Sequence, residues 1–156
     1  MVCLGNICRS PMAKAVASDL VAKARLGDKI SIESYGTAGY HRGEGADPRA
    51  EAALKKRGWS VPSHQARQIT VGAIKKADLI LCADRGNLRA LMQIAPNNKE
   101  KIKLLRSFDP ESTDSDLDVP DPYYGGEYEF DRTLEIIERS CSGLLTSLAK
   151  DSRGET

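Results

Sequence analysis

A thiol, an arginine and a hydroxyl lie close together near the start of the chain, in the run Cys3-Leu4-Gly5-Asn6-Ile7-Cys8-Arg9-Ser10-Pro11. The five residues between Cys3 and Arg9 can curl into a loop whose backbone N–H groups point inward and form an anion nest. Gly5 and Asn6 suit such a loop because both residue types tolerate positive φ. Arg9 can bind two oxygens of a tetrahedral anion at once. The run therefore predicts an oxyanion site with Cys3 at its floor.

The same run favours a reactive thiolate at Cys3. Pro11 fits the first turn of a helix, and the amides and dipole of a helix N-terminus attract negative charge. A helix N-terminus and a neighbouring cation both favour thiolate over thiol, and the Ser10 hydroxyl can hydrogen-bond the sulfur. A lone cysteine is most often a buried, inert residue. Here the bend, Arg9 and the helix start coincide, which predicts a nucleophile that attacks phosphorus.

A cysteine nucleophile also needs an acid that protonates the departing oxygen, and the candidate is Asp121. It lies in Val119-Pro120-Asp121-Pro122-Tyr123-Tyr124-Gly125, where prolines on both sides restrict the backbone. Asp-Pro on its own is usually a turn. From the residues alone, Asp116 and Asp118 stay open as alternatives.

Composition excludes several classes of protein. The chain has 156 residues, of which 29% are charged and 40% hydrophobic, as in a globular protein with a single core. A net charge of +1 gives no general attraction to nucleic acid or membrane. No long apolar run or signal peptide is present. The four cysteines are too few and too scattered for a disulfide framework or a zinc site, so we expect a cytoplasmic protein without a metal or cofactor.

Alternating strands and helices must position these residues. The apolar patterns predict strands at Met1–Cys3, Ile30–Ser34, Asp78–Cys82 and Ile102–Leu105. Helices are predicted at Ser10–Arg25, Asp47–Arg57, Thr70–Lys76, Asn87–Ile94 and Glu127–Lys150. Residues 36–43, 59–68 and 111–118 are predicted to be loops, and 151–156 a frayed tail. This order indicates one parallel α/β sheet, in which ligands bind beyond the carboxyl ends of the strands. Cys3 lies at such an end.

Several of these motifs resemble the low-molecular-weight protein tyrosine phosphatases. The run from Cys3 to Pro11 is similar to that family's phosphate-binding loop. The run Asp121-Pro122-Tyr123-Tyr124-Gly125 is similar to its acid loop, and the segment Ser63–Thr70 also matches the family. The resemblance implies a single domain over residues 1–156, with an open four-stranded sheet of order 2-1-3-4. Helices would cover both faces, and the phosphate loop would follow strand 1.

The resemblance also assigns roles to residues. It implies catalysis by Cys3, Arg9 and Asp121 on protein phosphotyrosine and small aryl phosphates, through a phosphocysteine intermediate, with phosphate and other oxyanions as inhibitors. The phosphate-binding residues would be Leu4, Gly5, Asn6, Ile7, Cys8, Arg9 and Ser10. Asn6, Ser10, Ser34 and His64 would hold the loop in shape. Ile7, Tyr40, Tyr123 and Tyr124 would line the entrance.

From spacing alone, Cys8 either packs behind the loop or forms a reversible disulfide with Cys3. The resemblance favours the redox role. His41 has no counterpart in the resemblance and is interpreted as a loop residue. Few apolar residues precede Cys3, which leaves two interpretations open, an unusually short central strand or a sequence that lacks its natural N-terminus.

Three other functions remain as alternatives. A thiol-coupled arsenate reductase shares the Cys-x5-Arg loop but needs a resolving cysteine pair near Cys82, and residue 89 is arginine. A protein arginine phosphatase on this scaffold usually has threonine where Ile7 stands. A catalytically silent phosphate-binding module would not need both Cys3 and Asp121. These observations favour a tyrosine phosphatase.

Overall fold

Four short parallel strands form the sheet at the centre of the molecule. In the computed structural model, which describes residues 1–154, the strands are β1 (Val2–Cys3), β2 (Tyr35–Gly36), β3 (Ile80–Cys82) and β4 (Ile102–Leu104). Their order is β2-β1-β3-β4 and every pair is parallel. The predicted α/β class and strand order are therefore confirmed.

Five α-helices connect and cover the strands. They are α1 (Arg9–Lys23), α2 (Pro48–Lys56), α3 (Val71–Lys76), α4 (Arg85–Ile94) and α5 (Glu127–Ser152). Two 3₁₀ turns, Pro96–Lys101 and Leu105–Phe108, flank β4. The caps agree with the sequence, because Asp47 accepts from the backbone N–H of Arg49 at the start of α2 and Thr70 accepts from that of Ala73 in α3.

The second strand lies later in the chain than predicted. The alternation of Ile30 and Ile32 indicated a strand ending at Ser34, but the ladder pairs Val2 with Tyr35 and Cys3 with Gly36. Ile30 and Ile32 are partly buried against the core without joining the sheet. The alternation of Ile30 and Ile32 therefore indicated burial only, because a strand also needs a neighbouring strand at hydrogen-bonding distance.

The two faces of the sheet carry separate hydrophobic clusters. Cys3 and Leu81 contribute to a large cluster with α1, α2 and α5. Val2, Ile80, Cys82 and Ile102 point to the other face and pack with α3 and α4. Neighbouring strand residues alternate between the faces, as pleated strands require.

The long C-terminal helix anchors the larger cluster. Its predicted apolar stripe is buried except at Leu148, which is partly buried, and consists of Phe130, Leu134, Ile137, Cys141, Leu144, Leu145 and Leu148. Helix α5 extends to Ser152, so the first two residues of the predicted frayed tail are helical, and residues 155–156 lie outside the described residues. Within residues 1–154, every helix is too short or too polar to cross a lipid bilayer.

Candidate active site

Cys3 lies at the carboxyl end of β1, and a loop of five residues leads from it to Arg9, the first residue of α1. Its side chain is buried. The sulfur is 3.0 Å from Ser10 Oγ, and the backbone N–H of Asn6 donates to it over 3.3 Å. One polar group from the loop and one from the first turn of α1 therefore face the sulfur, as the sequence predicted for Ser10.

Asn6 organises this loop. It has φ of 58°, the left-handed conformation that asparagine tolerates better than most residues. Its side-chain amide donates to Ser10 Oγ at 2.8 Å and to Ser34 Oγ at 3.0 Å, and its Oδ1 accepts from the backbone N–H of Arg67 at 2.9 Å. Because Ser10 Oγ accepts from Asn6, its single hydrogen is free to point at Cys3 Sγ.

His64 contacts the backbone of the Cys3–Arg9 loop. Its Nε2 is 2.6 Å from the carbonyl oxygen of Asn6. A carbonyl only accepts, so Nε2 carries the hydrogen in this contact. Burial lowers the pKa of His64 by more than the bond to Asn6 raises it, which keeps the ring neutral near pH 7. The structure thus brings Asn6, Ser34 and His64 together, as the family resemblance implied.

Glycine is required near the loop for close approach. Of the two loop residues whose types tolerate positive φ, Asn6 adopts it and Gly5 does not. A Cβ at Gly5 would instead lie 2.9 Å from the His41 ring. A Cβ at Gly36 would lie 2.7 Å from Leu4 O and 3.1 Å from Asn6 N, both backbone atoms of the loop. Sequence patterns gave no indication of this role for Gly36.

The Arg9 guanidinium is buried and hydrogen-bonded within the molecule. Its Nη1 donates to Asp84 Oδ2 at 2.7 Å and to Val119 O at 3.0 Å, and the side chain is 4% exposed. Burial opposes its charge, but Cys3, the hydrogen bond to Asp84 and Asp121 raise the pKa of Arg9 overall, so it stays cationic. Asp84 was missed by the sequence analysis, since its only sequence signal is that of a cap for α4.

The acid loop is tied to the sheet immediately before Asp121. The backbone N–H of Val119 donates to Ala83 O at 2.7 Å, and the Val119 side chain is buried. Asp121 Oδ2 then lies 3.5 Å from Arg9 Nη2, while its Oδ1 accepts from the backbone N–H of Tyr123 at 3.1 Å. This arrangement brings an acid, a cation and a thiol to one place.

The other two acid candidates are engaged elsewhere. Asp118 Oδ1 accepts from the backbone N–H of Arg85 at 2.9 Å, and Asp116 pairs with Arg106 at 2.7 Å. Geometry therefore favours Asp121 over both of them.

The three tyrosines predicted to line the entrance are exposed. Tyr123 and Tyr124 meet edge to face with ring centroids 4.9 Å apart, and Tyr40 is 76% exposed. The ring that faces Tyr123 from the loop containing Tyr40 is that of His41, at 6.1 Å between centroids. His41 Nδ1 contacts Glu44 Oε2 at 2.7 Å. His41, interpreted from the sequence as a loop residue, therefore lies beside Tyr123 and is paired with Glu44.

The remaining thiols differ from Cys3 in their surroundings. Burial, with a smaller contribution from Asp47, raises the pKa of Cys8 to about 12. Burial likewise raises the pKa of Cys82 and of Cys141 to about 12. All four cysteines are free thiols. Cys82 lies inside β3 and residue 89 is an exposed arginine, so the cysteine pair of an arsenate reductase is not formed here.

Comparison with known proteins agrees with this geometry. The family model described as low molecular weight phosphotyrosine protein phosphatase matches residues 1–154. A low molecular weight protein-tyrosine-phosphatase of Streptomyces coelicolor is 47% identical over 155 residues, covering 98% of this chain and 94% of the relative. The human low molecular weight phosphotyrosine protein phosphatase is 40% identical over 147 residues, covering 92% and 90%.

A solved structure shows the same fold. The crystal structure of a protein tyrosine phosphatase from Entamoeba histolytica, with Hepes in the active site, superposes with a TM-score of 0.91 at 37% identity, covering 97% of this chain and 96% of that one. Fold, site geometry and sequence agree, and this chain belongs to the low molecular weight phosphotyrosine protein phosphatase family.

Proposed function

We propose that this protein hydrolyses phosphotyrosine in proteins, and small aryl phosphates, through a phosphocysteine at Cys3. One observation supports this assignment above all. The same short loop adjoins two groups of side chains. One is the Cys3 sulfur with Ser10 Oγ at 3.0 Å, and the other is the Arg9–Asp121 ion pair at 3.5 Å. The assignment of individual residues below is part of the proposal.

The first step transfers the phosphoryl group. The phosphate oxygens bind the loop amides, Leu4 to Ser10, and the Arg9 guanidinium. The Cys3 thiolate forms a bond to phosphorus while the bond from phosphorus to the tyrosyl oxygen breaks, and Asp121 gives its proton to that oxygen. Ser10 and the Asn6 N–H stabilise the sulfur before attack.

The second step restores the enzyme. The Asp121 carboxylate takes a proton from water as the water oxygen attacks phosphorus, and the bond between sulfur and phosphorus breaks. Inorganic phosphate leaves and the Cys3 thiolate is regenerated. Free phosphate and similar oxyanions bind the same amides and therefore inhibit.

Substrate choice follows from the entrance. Ile7, Tyr40, Tyr123 and Tyr124 form the proposed walls, against which a phenol ring stacks. We expect phosphotyrosine peptides to be hydrolysed much faster than phosphoserine peptides. Comparable rates would contradict the proposed preference, and faster hydrolysis of phosphoarginine would favour the arginine phosphatase alternative.

A colorimetric assay with an aryl phosphate tests the nucleophile. Cys3→Ser should abolish turnover yet still bind phosphate, because Arg9 and the loop amides remain. Cys82→Ala is the matched control, since it removes the thiol that an arsenate reductase would need, and it should keep near wild-type rates. Wild-type turnover by Cys3→Ser would overturn the proposal.

We also propose a cytoplasmic location, supported by the need for reduced thiols. The mechanism requires Cys3 as a free thiol, and reducing compartments maintain that state. Fractionation of cells that produce the protein, with a blot of each fraction, tests this location. Recovery outside the cytoplasm would refute it.

A further inference from the structure

Arg49 joins helix α2 to the loop that carries the proposed acid. Its Nη1 donates to Gly125 O and its Nη2 to Tyr123 O, each at 3.0 Å. The guanidinium lies 4.6 Å from the centre of the Phe130 ring and 5.7 Å from that of Tyr123. One side chain thus binds two carbonyls and two rings just beyond Asp121.

The other donors of Arg49 go to Asp47. Arg49 Nε is 3.0 Å from Asp47 Oδ1 and Nη2 is 2.8 Å from Asp47 Oδ2, a bidentate pair. The Asp47 side chain is only 9% exposed. The Arg49 hydrogen bond holds the pKa of Asp47 below its usual range, although burial opposes this.

Asp47 is bonded in turn to the phosphate loop. Its backbone N–H donates to Ile7 O at 2.8 Å, and the Cys8 thiol faces its carboxylate. A continuous series of contacts therefore runs from the phosphate loop through Asp47 and Arg49 to Tyr123. The N–H of Tyr123 is the group that holds the Asp121 carboxylate, at 3.1 Å.

We propose that Asp47 and Arg49 are a positioning pair that fixes the acid loop, and with it Asp121, over the phosphate loop. The proposal rests on the proposed function, because it assumes that Asp121 is the acid. Gly125 and Gly126 lie at the end of this loop, and glycine restricts backbone conformation less than any other residue type. Arg49 adds a restraint from a different helix through its contacts with Tyr123 and Gly125. It touches no reacting atom and acts only through the loop.

A displaced acid gives a specific kinetic pattern. Protonation matters most when the leaving oxygen is a strong base and least when it departs readily as an anion. We expect Arg49→Ala to lower kcat/KM for phenyl phosphate by roughly tenfold to a hundredfold. For dinitrophenyl phosphate, we expect little change. A surface ion pair that only caps α2 would give no dependence on the leaving group.

The experiment measures kcat/KM for a series of aryl phosphates with increasingly basic leaving groups. It compares wild type, Arg49→Ala, Asp121→Asn and the double variant. The double variant should show no further leaving-group-dependent loss beyond Asp121→Asn, because the two residues act through one proton transfer. Arg57→Ala is the matched control, since Arg57 caps the other end of α2 and pairs with Glu138 and Glu135 on α5. Its series should superpose on that of wild type.

Asp47→Asn gives an independent test that keeps the helix cap. Asparagine still accepts at the N-cap but loses the charge that holds Arg49. This variant should reproduce the Arg49→Ala pattern, and it decides the question if Arg49→Ala does not fold. Equal losses for every leaving group, or additive losses in the double variant, would overturn the positioning pair. A flat series for Asp121→Asn would instead overturn the acid assignment.

Discussion

Each proposed reacting side chain is held by a neighbour that does not react. Arg9 is fixed by Asp84 and Val119 O, and the loop around Cys3 by Asn6. The reacting types could be predicted, because phosphoryl transfer needs a nucleophile, a cation and an acid at characteristic spacing. Asp84 and Arg67 could not, because their contacts arise only when distant parts of the chain meet.

At the residue scale, the acid assignment predicts a dependence on the leaving group. Asp121→Asn keeps the size of the side chain but removes the transferable proton. We expect kcat/KM to fall by roughly 10²–10⁴ for substrates with poor leaving groups, and by much less for good ones. Steady-state kinetics across a substituted aryl phosphate series gives both values. Asp118→Asn is the control, as Asp118 only accepts from the Arg85 N–H, and a similar loss there would argue against Asp121.

Cys8 leads to a second prediction at this scale. Its pKa of about 12 leaves it a thiol at neutral pH, so peroxide should react first at Cys3. The resulting sulfenic acid should condense with the Cys8 thiol, releasing water and forming a disulfide before further oxidation. We expect peroxide to inactivate the enzyme, reductant to restore it and bound phosphate to protect it.

Variants test whether Cys8 is the partner. Cys8→Ser should remain active but lose its recovery after peroxide, whereas Cys82→Ala should recover as wild type does. Mass spectrometry of the oxidised wild type should detect a peptide that links Cys3 to Cys8. Full recovery of Cys8→Ser, without such a peptide in the wild type, would exclude this protection.

At the scale of elements, helices were predicted better than strands. Helix caps such as Thr70 and apolar stripes such as that of α5 depend on residues close together in the sequence, so they can be recognised there. The position of β2 in the chain depends on which residues pair with β1, and the alternation of Ile30 and Ile32 does not reveal this pairing. Close approach of backbones, as at Gly36, is also set by neighbouring elements.

Gly36 gives the prediction that belongs to β2. In Gly36→Ala, the new Cβ would be 2.7 Å from Leu4 O and 3.1 Å from Asn6 N, so the phosphate loop must shift. A shift of about 1 Å in a catalytic group can cost on the order of a hundredfold in rate. We expect a large loss of kcat/KM together with weaker phosphate binding. Gly27→Ala is the control, since no atom lies within 4 Å of its Cβ, and wild-type activity of Gly36→Ala would contradict this view of the loop.

At the scale of the whole molecule, the alternation of strands and helices predicted a parallel α/β sheet, and the family resemblance supplied its strand order. A parallel sheet with right-handed crossovers has few arrangements, and ligands bind beyond its carboxyl ends. The buried charges could not be predicted in this way. Asp109, after the second 3₁₀ turn, is fully buried and paired with Arg139 of α5, 30 positions away in the sequence.

Asp109 makes the stability of the fold depend on pH. Burial on its own would raise the pKa of Asp109. The hydrogen bonds from Arg139 and the Glu111 N–H, together with the charges of Arg139 and Arg106, outweigh burial and hold the pKa below its usual range. The unfolded chain therefore binds a proton at higher pH than the folded one. The stabilisation is complete well above the unfolded pKa of about 3.9 and is lost as pH falls below it.

Asp109→Asn tests this contribution, because it leaves Arg139 and Arg106 beside a neutral partner. We expect it to lower the free energy of unfolding by about 1–3 kcal/mol at pH 7, the range for a buried hydrogen bond to a charged group, because Arg139 and Arg106 keep Glu111 and Asp116 as partners. Urea denaturation followed by the fluorescence of Trp59, the single tryptophan, measures this at pH values from 7 down to about 3. The difference from wild type should narrow as the pH falls below the unfolded pKa of about 3.9, where Asp109 of the unfolded wild-type chain begins to bind a proton. Asp28→Asn, at an exposed position, should change little at any pH, and a difference at Asp109 that is constant over this range would show that its charge is not what stabilises the fold.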